Sequence, residues 1–182
     1  MLQQTSVAFT DVKSIINANP TNRLALFLGG ALALKNSSSE EALKMFLALE
    51  AQQTGLPVYY AYYLKGEVYL HKADYLNAIS AYRWFVNHNM GQNYIKDTHY
   101  KIGLCYWLNG NVSDAYVVFK NAKGLGKEST EADKYAARSM ADPELPNVPL
   151  TKARFYTDGG LLRQRQAYSR FDHACRPADA TR

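Results

Sequence analysis

The chain has 182 residues, of which 47% are hydrophobic and 14 are tyrosines, and its formal net charge is +5 at pH 7. This length allows one domain or a short repeat array, and the hydrophobic fraction excludes a wholly disordered protein. No stretch approaches the roughly 20 consecutive apolar residues of a membrane-spanning helix, so we expect no membrane association of that kind.

The positive charge is concentrated at the C-terminal end. Residues 1–160 contain 16 Lys and Arg against 14 Asp and Glu, whereas residues 161–182 contain five arginines, no lysine and two aspartates. Because the first 160 residues are nearly neutral, we predict no nucleic-acid partner. The first ten residues lack the basic region and long apolar run of a secretory signal, which favours a cytoplasmic location for the chain as given; the alternative is a fragment of a longer chain whose signal is missing.

The predicted elements are helices, and the first covers residues 6–18, closed by Asn19-Pro20. Three segments with one shared spacing follow. Gly30, Gly66 and Gly103 lie 36 and 37 residues apart, and each precedes an alanine by 12 residues and an aromatic residue by 16. The alanines are Ala42, Ala78 and Ala115, and the aromatic residues are Phe46, Tyr82 and Phe119.

This spacing predicts repeats of two antiparallel helices, A and B. The glycine and the alanine lie where A and B touch, because only small side chains permit that approach. The aromatic residues are expected to fill the gap to the next repeat. A single repeat cannot bury its apolar face alone, so neighbouring repeats stack.

Local signals agree with these boundaries. Ser38-x-x-Glu41 is typical of a capping box at the start of the first helix B. Asp74 is a suitable N-cap for the second, and Asn109-Gly110-Asn111 forms the turn of the third repeat. The two cysteines, Cys105 and Cys175, are too few for a disulfide framework or a zinc site, and we expect Cys105 in the core.

Residues 23–127 resemble the tetratricopeptide repeat family in this Gly–Ala–aromatic pattern, although the proline that closes helix B in the family is absent. The resemblance implies an all-α fold, a right-handed solenoid of helical hairpins with about three full repeats and flanking helices. Residues 129–141 predict a further helix, and after a proline-rich break residues 150–157 predict another helix A that ends at Asp158-Gly159-Gly160.

After Gly160 no helix B in register follows. We therefore divide the chain into a repeat domain, residues 1–160, and a basic tail, residues 161–182. One hypothesis for the change in composition is a shifted reading frame or a cloning junction. The alternative is a natural, disordered basic tail.

Candidate catalytic and metal-binding residues are few. Glu67 and His71 share a helix face, but a second pair of metal ligands is missing. Asp97 and His99 have no nucleophile beside them. We predict no enzymatic activity, no metal and no cofactor.

The resemblance implies that helix A of each repeat lines a concave groove that binds a protein or peptide. Carried over position by position, the groove residues are Phe27, Lys35, Tyr60, Tyr63, Glu67, His71, Tyr100, Leu104 and Trp107. The lysine and asparagine that clamp a terminal carboxylate in some members are absent, so the aromatic surface favours an amphipathic helix. The alternative is a structural segment of a longer solenoid or assembly. In that case a helix of the same chain, or a neighbouring subunit of a homo-oligomer, fills the groove.

Overall fold

The computed structural model describes residues 2–52, 57–142 and 144–161, so the predicted tail from residue 162 onward lies outside the described residues. In the described part of the chain the only regular elements are nine helices. They are α1 (Leu2–Ala18), α2 (Arg23–Lys35), α3 (Ser39–Glu50), α4 (Tyr59–His71), α5 (Tyr75–His88), α6 (Ile95–Leu108), α7 (Val112–Ala122), α8 (Glu131–Ala141) and α9 (Val148–Asp158).

The helices form an all-α repeat solenoid, as predicted. Three hairpins, α2–α3, α4–α5 and α6–α7, have the most extensive contacts, and they stack through α3 against α4 and α5 against α6. The predicted helix before the first repeat is present as α1 and packs on α2. One continuous apolar core runs through the stack.

Close approach inside each hairpin explains the repeated glycines. A Cβ atom at Gly30 would lie 2.5 Å from the ring of Phe46, and one at Gly103 would lie 2.6 Å from Phe119. Gly66 faces Tyr82 in the same way. These rings therefore also fill space inside their own hairpin, a contact that the sequence expectation did not include. The three repeat alanines are fully buried, as predicted.

Helices α2, α4, α6 and α9 end in the same turn, with a left-handed residue after the C-cap. The left-handed residues are Ser37, Ala73, Gly110 and Gly160. In each turn the residue two positions after the C-cap donates its N–H to a carbonyl in the last turn of the helix, as in a Schellman motif. This turn reverses the chain into helix B in the three hairpins.

The predicted helix starts are partly confirmed. The Asp74 side chain accepts the N–H of Asn77, as expected of an N-cap. The capping box at Ser38 is wrong: the Ser38 N–H donates to the carbonyl of Ala33, and the Glu41 carboxylate pairs with Lys13 of α1 at 2.7 Å. Both partners of that box are thus used elsewhere.

The C-terminal helices depart from simple stacking. α8 packs along α6, and α9 packs back on α4 and α6. The helix predicted at residues 150–157 is present as α9, but its main contacts are with the second repeat.

Candidate functional site

The predicted groove residues lie on α2, α4 and α6, and we call the side of these helices that carries them the groove face. Exposure differs sharply along it. Lys35 is exposed; Phe27, Tyr60, Glu67, His71 and Trp107 are half-buried; and Tyr63, Tyr100 and Leu104 are 4%, 6% and 3% exposed. Among these nine residues, Lys35 of the first repeat is therefore the most accessible in the described part of the chain.

An aromatic cluster covers the start of α4. The ring centroids of Tyr60 and Tyr63 are 5.3 Å apart, and Tyr94 lies 5.0 Å from the first and 4.8 Å from the second. Phe27 of the first repeat contacts Tyr60 edge-on at 6.4 Å. Burial raises the pKa of Tyr60 above its usual value, so its phenol is neutral at physiological pH. Tyr94 thus buries the groove-face tyrosines of the second repeat.

A buried polar network continues from this cluster and joins three helices. The Lys101 ammonium lies 2.7 Å from the Glu67 carboxylate, 2.8 Å from Asp97 and 3.0 Å from the Tyr63 hydroxyl. Tyr63 donates to Asp97 at 2.8 Å, and Tyr82 of α5 donates to Glu67. Glu67 is therefore not available for a partner.

Electrostatics hold Lys101 in its charged form. Burial alone would lower the pKa of Lys101, but Glu67 and Asp97 together raise it well above its usual value. Burial raises the pKa of Asp97, and the neighbouring Lys101 opposes that rise. One lysine thus compensates two carboxylates in a site with little solvent.

Cys105 is buried as predicted, and burial raises the pKa of its thiol, so no thiolate is available as a nucleophile. Within the described ranges no group of three or more His, Cys, Asp or Glu is placed to hold a metal ion.

Asp133 of α8 fastens that helix to the start of α6. Its carboxylate accepts the backbone N–H of Tyr94 at 2.9 Å and of Asp97 at 3.0 Å, and it forms a capping box with Thr130. Further along α8, Tyr135 meets the groove-face ring of Tyr100 edge-on at 6.4 Å. α8 therefore lies over the groove face of the third repeat.

α9 and the segment before it cover the other end of the groove face. The Trp107 indole N–H donates to the carbonyl of Pro146 at 3.0 Å. The Phe155 ring lies 6.0 Å from that of His71, and Gly159 packs on the His71 Cβ. α9 thus occupies the His71 position and the connection before it occupies the Trp107 position, so segments of the same chain fill this part of the groove face, which is one of the alternatives left open by the sequence.

Four residues that shape this site were missed by sequence reasoning: Tyr94, Lys101, Asp133 and Pro146. Two of them have readable signals. Lys101 follows Asp97 by four residues on the same helix face, and Thr130-x-x-Asp133 has the spacing of a capping box. Tyr94 and Pro146 lie in connections, where no periodic pattern marks their partners.

None of the helices in residues 2–52, 57–142 and 144–161 combines the length and the apolar character needed to cross a membrane.

Two crystal structures of MamA are similar to this chain. One has a TM-score of 0.59 at 16% sequence identity, with 91% of this chain and 91% of that chain covered. The other has a TM-score of 0.61 at 16% identity, with 98% of this chain and 90% of that chain covered. At this identity the likeness shows the helical-repeat fold alone. No family model and no curated protein matches the chain.

Proposed function

We propose that the chain is a non-enzymatic protein-interaction module of the tetratricopeptide kind, which binds a helical segment of a protein partner on the groove face of its first repeat. One observation carries the proposal. The groove face of the second and third repeats is partly covered by α8 and α9 of the same chain, whereas Leu24, Leu28 and Lys35 of α2 are exposed among the described residues. The fold thus uses this face to hold helices.

The open surface defines the partner's chemistry. Leu24 and Leu28 of α2 are 66% and 42% exposed, and the half-buried Phe27 ring lies between them in sequence. Lys35 is exposed at the end of the same helix. An amphipathic helix with apolar side chains for the leucines and an acidic residue for Lys35 fits this surface.

Site-specific photo-crosslinking in the native cell tests this proposal. A photoreactive residue at Leu24 is expected to give a discrete protein adduct. The same residue at Leu76 of α5, which is 69% exposed but lies outside the groove face, is the matched control and is expected to give none. The adduct protein is then purified, and Leu24→Asp is expected to weaken its binding about tenfold or more, since a charge would meet an apolar contact.

Identical adducts at both positions, or binding that Leu24→Asp leaves unchanged, would overturn the proposal. An adduct with a second copy of the chain would favour the alternative of a homo-oligomeric assembly over a separate partner.

A further inference from the structure

α9 is attached to the solenoid by a small number of contacts. Of its residues only Tyr156 is buried, and Leu150 and Arg154 are exposed. The connection from α8 contains two prolines, Pro143 and Pro146, so it continues neither helix. α9 is therefore a separate element that docks on the hairpins, in contrast to α3 or α5, whose apolar faces form the core.

The docking contacts lie on one side of α9. The Lys152 ammonium lies 5.6 Å from the centroid of the Tyr75 ring, and Phe155 lies against His71. Gly159 packs in the corner between His71 and Ser39. Lysine, aromatic residue and glycine are thus spaced by three and then four residues, which places them on one helix face.

The docked position of α9 requires glycine at residues 159 and 160, because a larger side chain at either would clash with the solenoid. A Cβ atom at Gly159 would lie 2.8 Å from the His71 Cβ and 2.9 Å from the Ser39 hydroxyl oxygen. At Gly160, which has φ +74°, a Cβ would clash with the backbone carbonyl of Ser37. Only a helix that ends in glycine fits there.

The docked interface also leaves polar atoms unpaired. The Ser39 hydroxyl oxygen lies beside Gly159, and both it and the His71 Nδ1 are buried and make no hydrogen bond within the described part of the chain. Both atoms regain hydrogen bonds to water when α9 leaves, which offsets part of the apolar contact that is lost. This favours exchange of the helix.

We propose that α9 is an exchangeable internal ligand of its own groove, and that a partner helix with lysine, an aromatic residue three positions later and glycine four positions after that takes its place. The occupied groove is then autoinhibited until such a helix competes. This goes beyond the proposed function, because it concerns the part of the groove that α9 covers and needs no partner at Leu24.

The test uses the full chain and a labelled synthetic peptide of residues 145–161. Gly159→Val introduces the side chain that the corner excludes and weakens the docking of α9 in the same chain. Gly124→Val is the matched control, since among the described residues the atom nearest to a Cβ at that position is a carbonyl oxygen 3.9 Å away. The peptide is expected to bind the Gly159→Val chain at least tenfold more tightly than the wild-type or Gly124→Val chains.

The indole N–H NMR signal of Trp107 gives an independent readout, because its hydrogen bond to Pro146 reports docking. It is assigned as the signal that remains in Trp84→Phe. We expect it to shift in Gly159→Val and to return towards its wild-type position when the peptide is added. Phe155→Ala, a change within α9 itself, is expected to have the same two effects without altering the hairpins.

Equal peptide affinity for the three chains, binding to none of them, or an unmoved Trp107 signal in both Gly159→Val and Phe155→Ala would overturn the proposal. Leu24→Asp is expected to leave peptide binding unchanged, so the failure of this proposal is distinguishable from that of the first-repeat surface.

Discussion

The first and second repeats have the same packing inside their hairpins but differ in which residues cover their groove faces. Phe27 and Tyr63 occupy the same repeat position, three residues before the repeat glycine, yet Phe27 is half-buried and Tyr63 is 4% exposed. The glycine–aromatic contact is the same in both hairpins. Residues outside the hairpin itself, such as Tyr94 and Lys101 for Tyr63, therefore determine how deeply a groove-face side chain is buried.

The largest difference is expected at the position two residues before the repeat glycine, which holds Lys101 in the third repeat and Leu28 in the first. Lys101→Met leaves Glu67 and Asp97 buried without a counter-charge, which we expect to lower the free energy of unfolding by about 3–5 kcal/mol. Leu28→Met changes an exposed side chain and is expected to stay within about 0.5 kcal/mol.

Urea unfolding at neutral pH measures both changes. Equal effects of Lys101→Met and Leu28→Met would mean that the network does not distinguish the repeats.

Because the hairpins pack in the same way, we expect substitutions at the repeat glycines to change stability equally. Gly30→Ala and Gly66→Ala each force a Cβ against the ring of Phe46 or Tyr82, so each is expected to cost about 1–3 kcal/mol by overpacking. Gly91→Ala, in the open α5–α6 connection, is the control and is expected to be close to neutral. Thermal unfolding of the three variants checks this, and a large effect at only one of the two repeat glycines would contradict a common skeleton.

The hairpins could be predicted from the sequence because their signals are local. The glycine and its alanine are 12 residues apart, and the turn residues mark each reversal. The covering of the groove could not be predicted, because the covering residues come from connections and helices that are distant in the sequence. Asp158-Gly159-Gly160 ends a helix wherever that helix packs, so the sequence predicts α9 but not its return to His71. The Lys101 network needs three helices in place before its residues meet.

The variants Tyr63→Phe and Phe27→Tyr test how much the Tyr63 hydroxyl contributes to the difference in stability between the two repeats. Tyr63→Phe removes a hydroxyl that donates to Asp97 and accepts from Lys101, which we expect to cost about 1–2 kcal/mol. Phe27→Tyr adds a hydroxyl at the more exposed position and is expected to be neutral. Urea unfolding of the two single variants is the measurement, and a neutral Tyr63→Phe would show that the hydroxyl contributes nothing to the network.

The smallest expected effect is a pH dependence confined to the covered end of the groove. Burial lowers the pKa of His71 when α9 is docked; Glu67 and Asp158 act against this, and Lys101 and Arg154 add to it. The undocked state therefore binds more protons. Docking is at full strength above the ordinary histidine pKa of about 6.5 and weakens as the pH falls through it.

The Trp107 indole signal, followed from pH 7.5 to 5, is expected to shift in the direction produced by Gly159→Val. In His71→Phe, which keeps a ring against Phe155 but cannot be protonated, the signal is expected to stay constant. Burial also lowers the pKa of His99, on α6 near the other end of the groove face, so an unchanged pH response in His71→Phe would assign the effect to that histidine instead. If the pH response of the Trp107 signal disappears in His71→Phe, it originates at the end of the groove face that α9 covers, because the first repeat carries no histidine on its groove face.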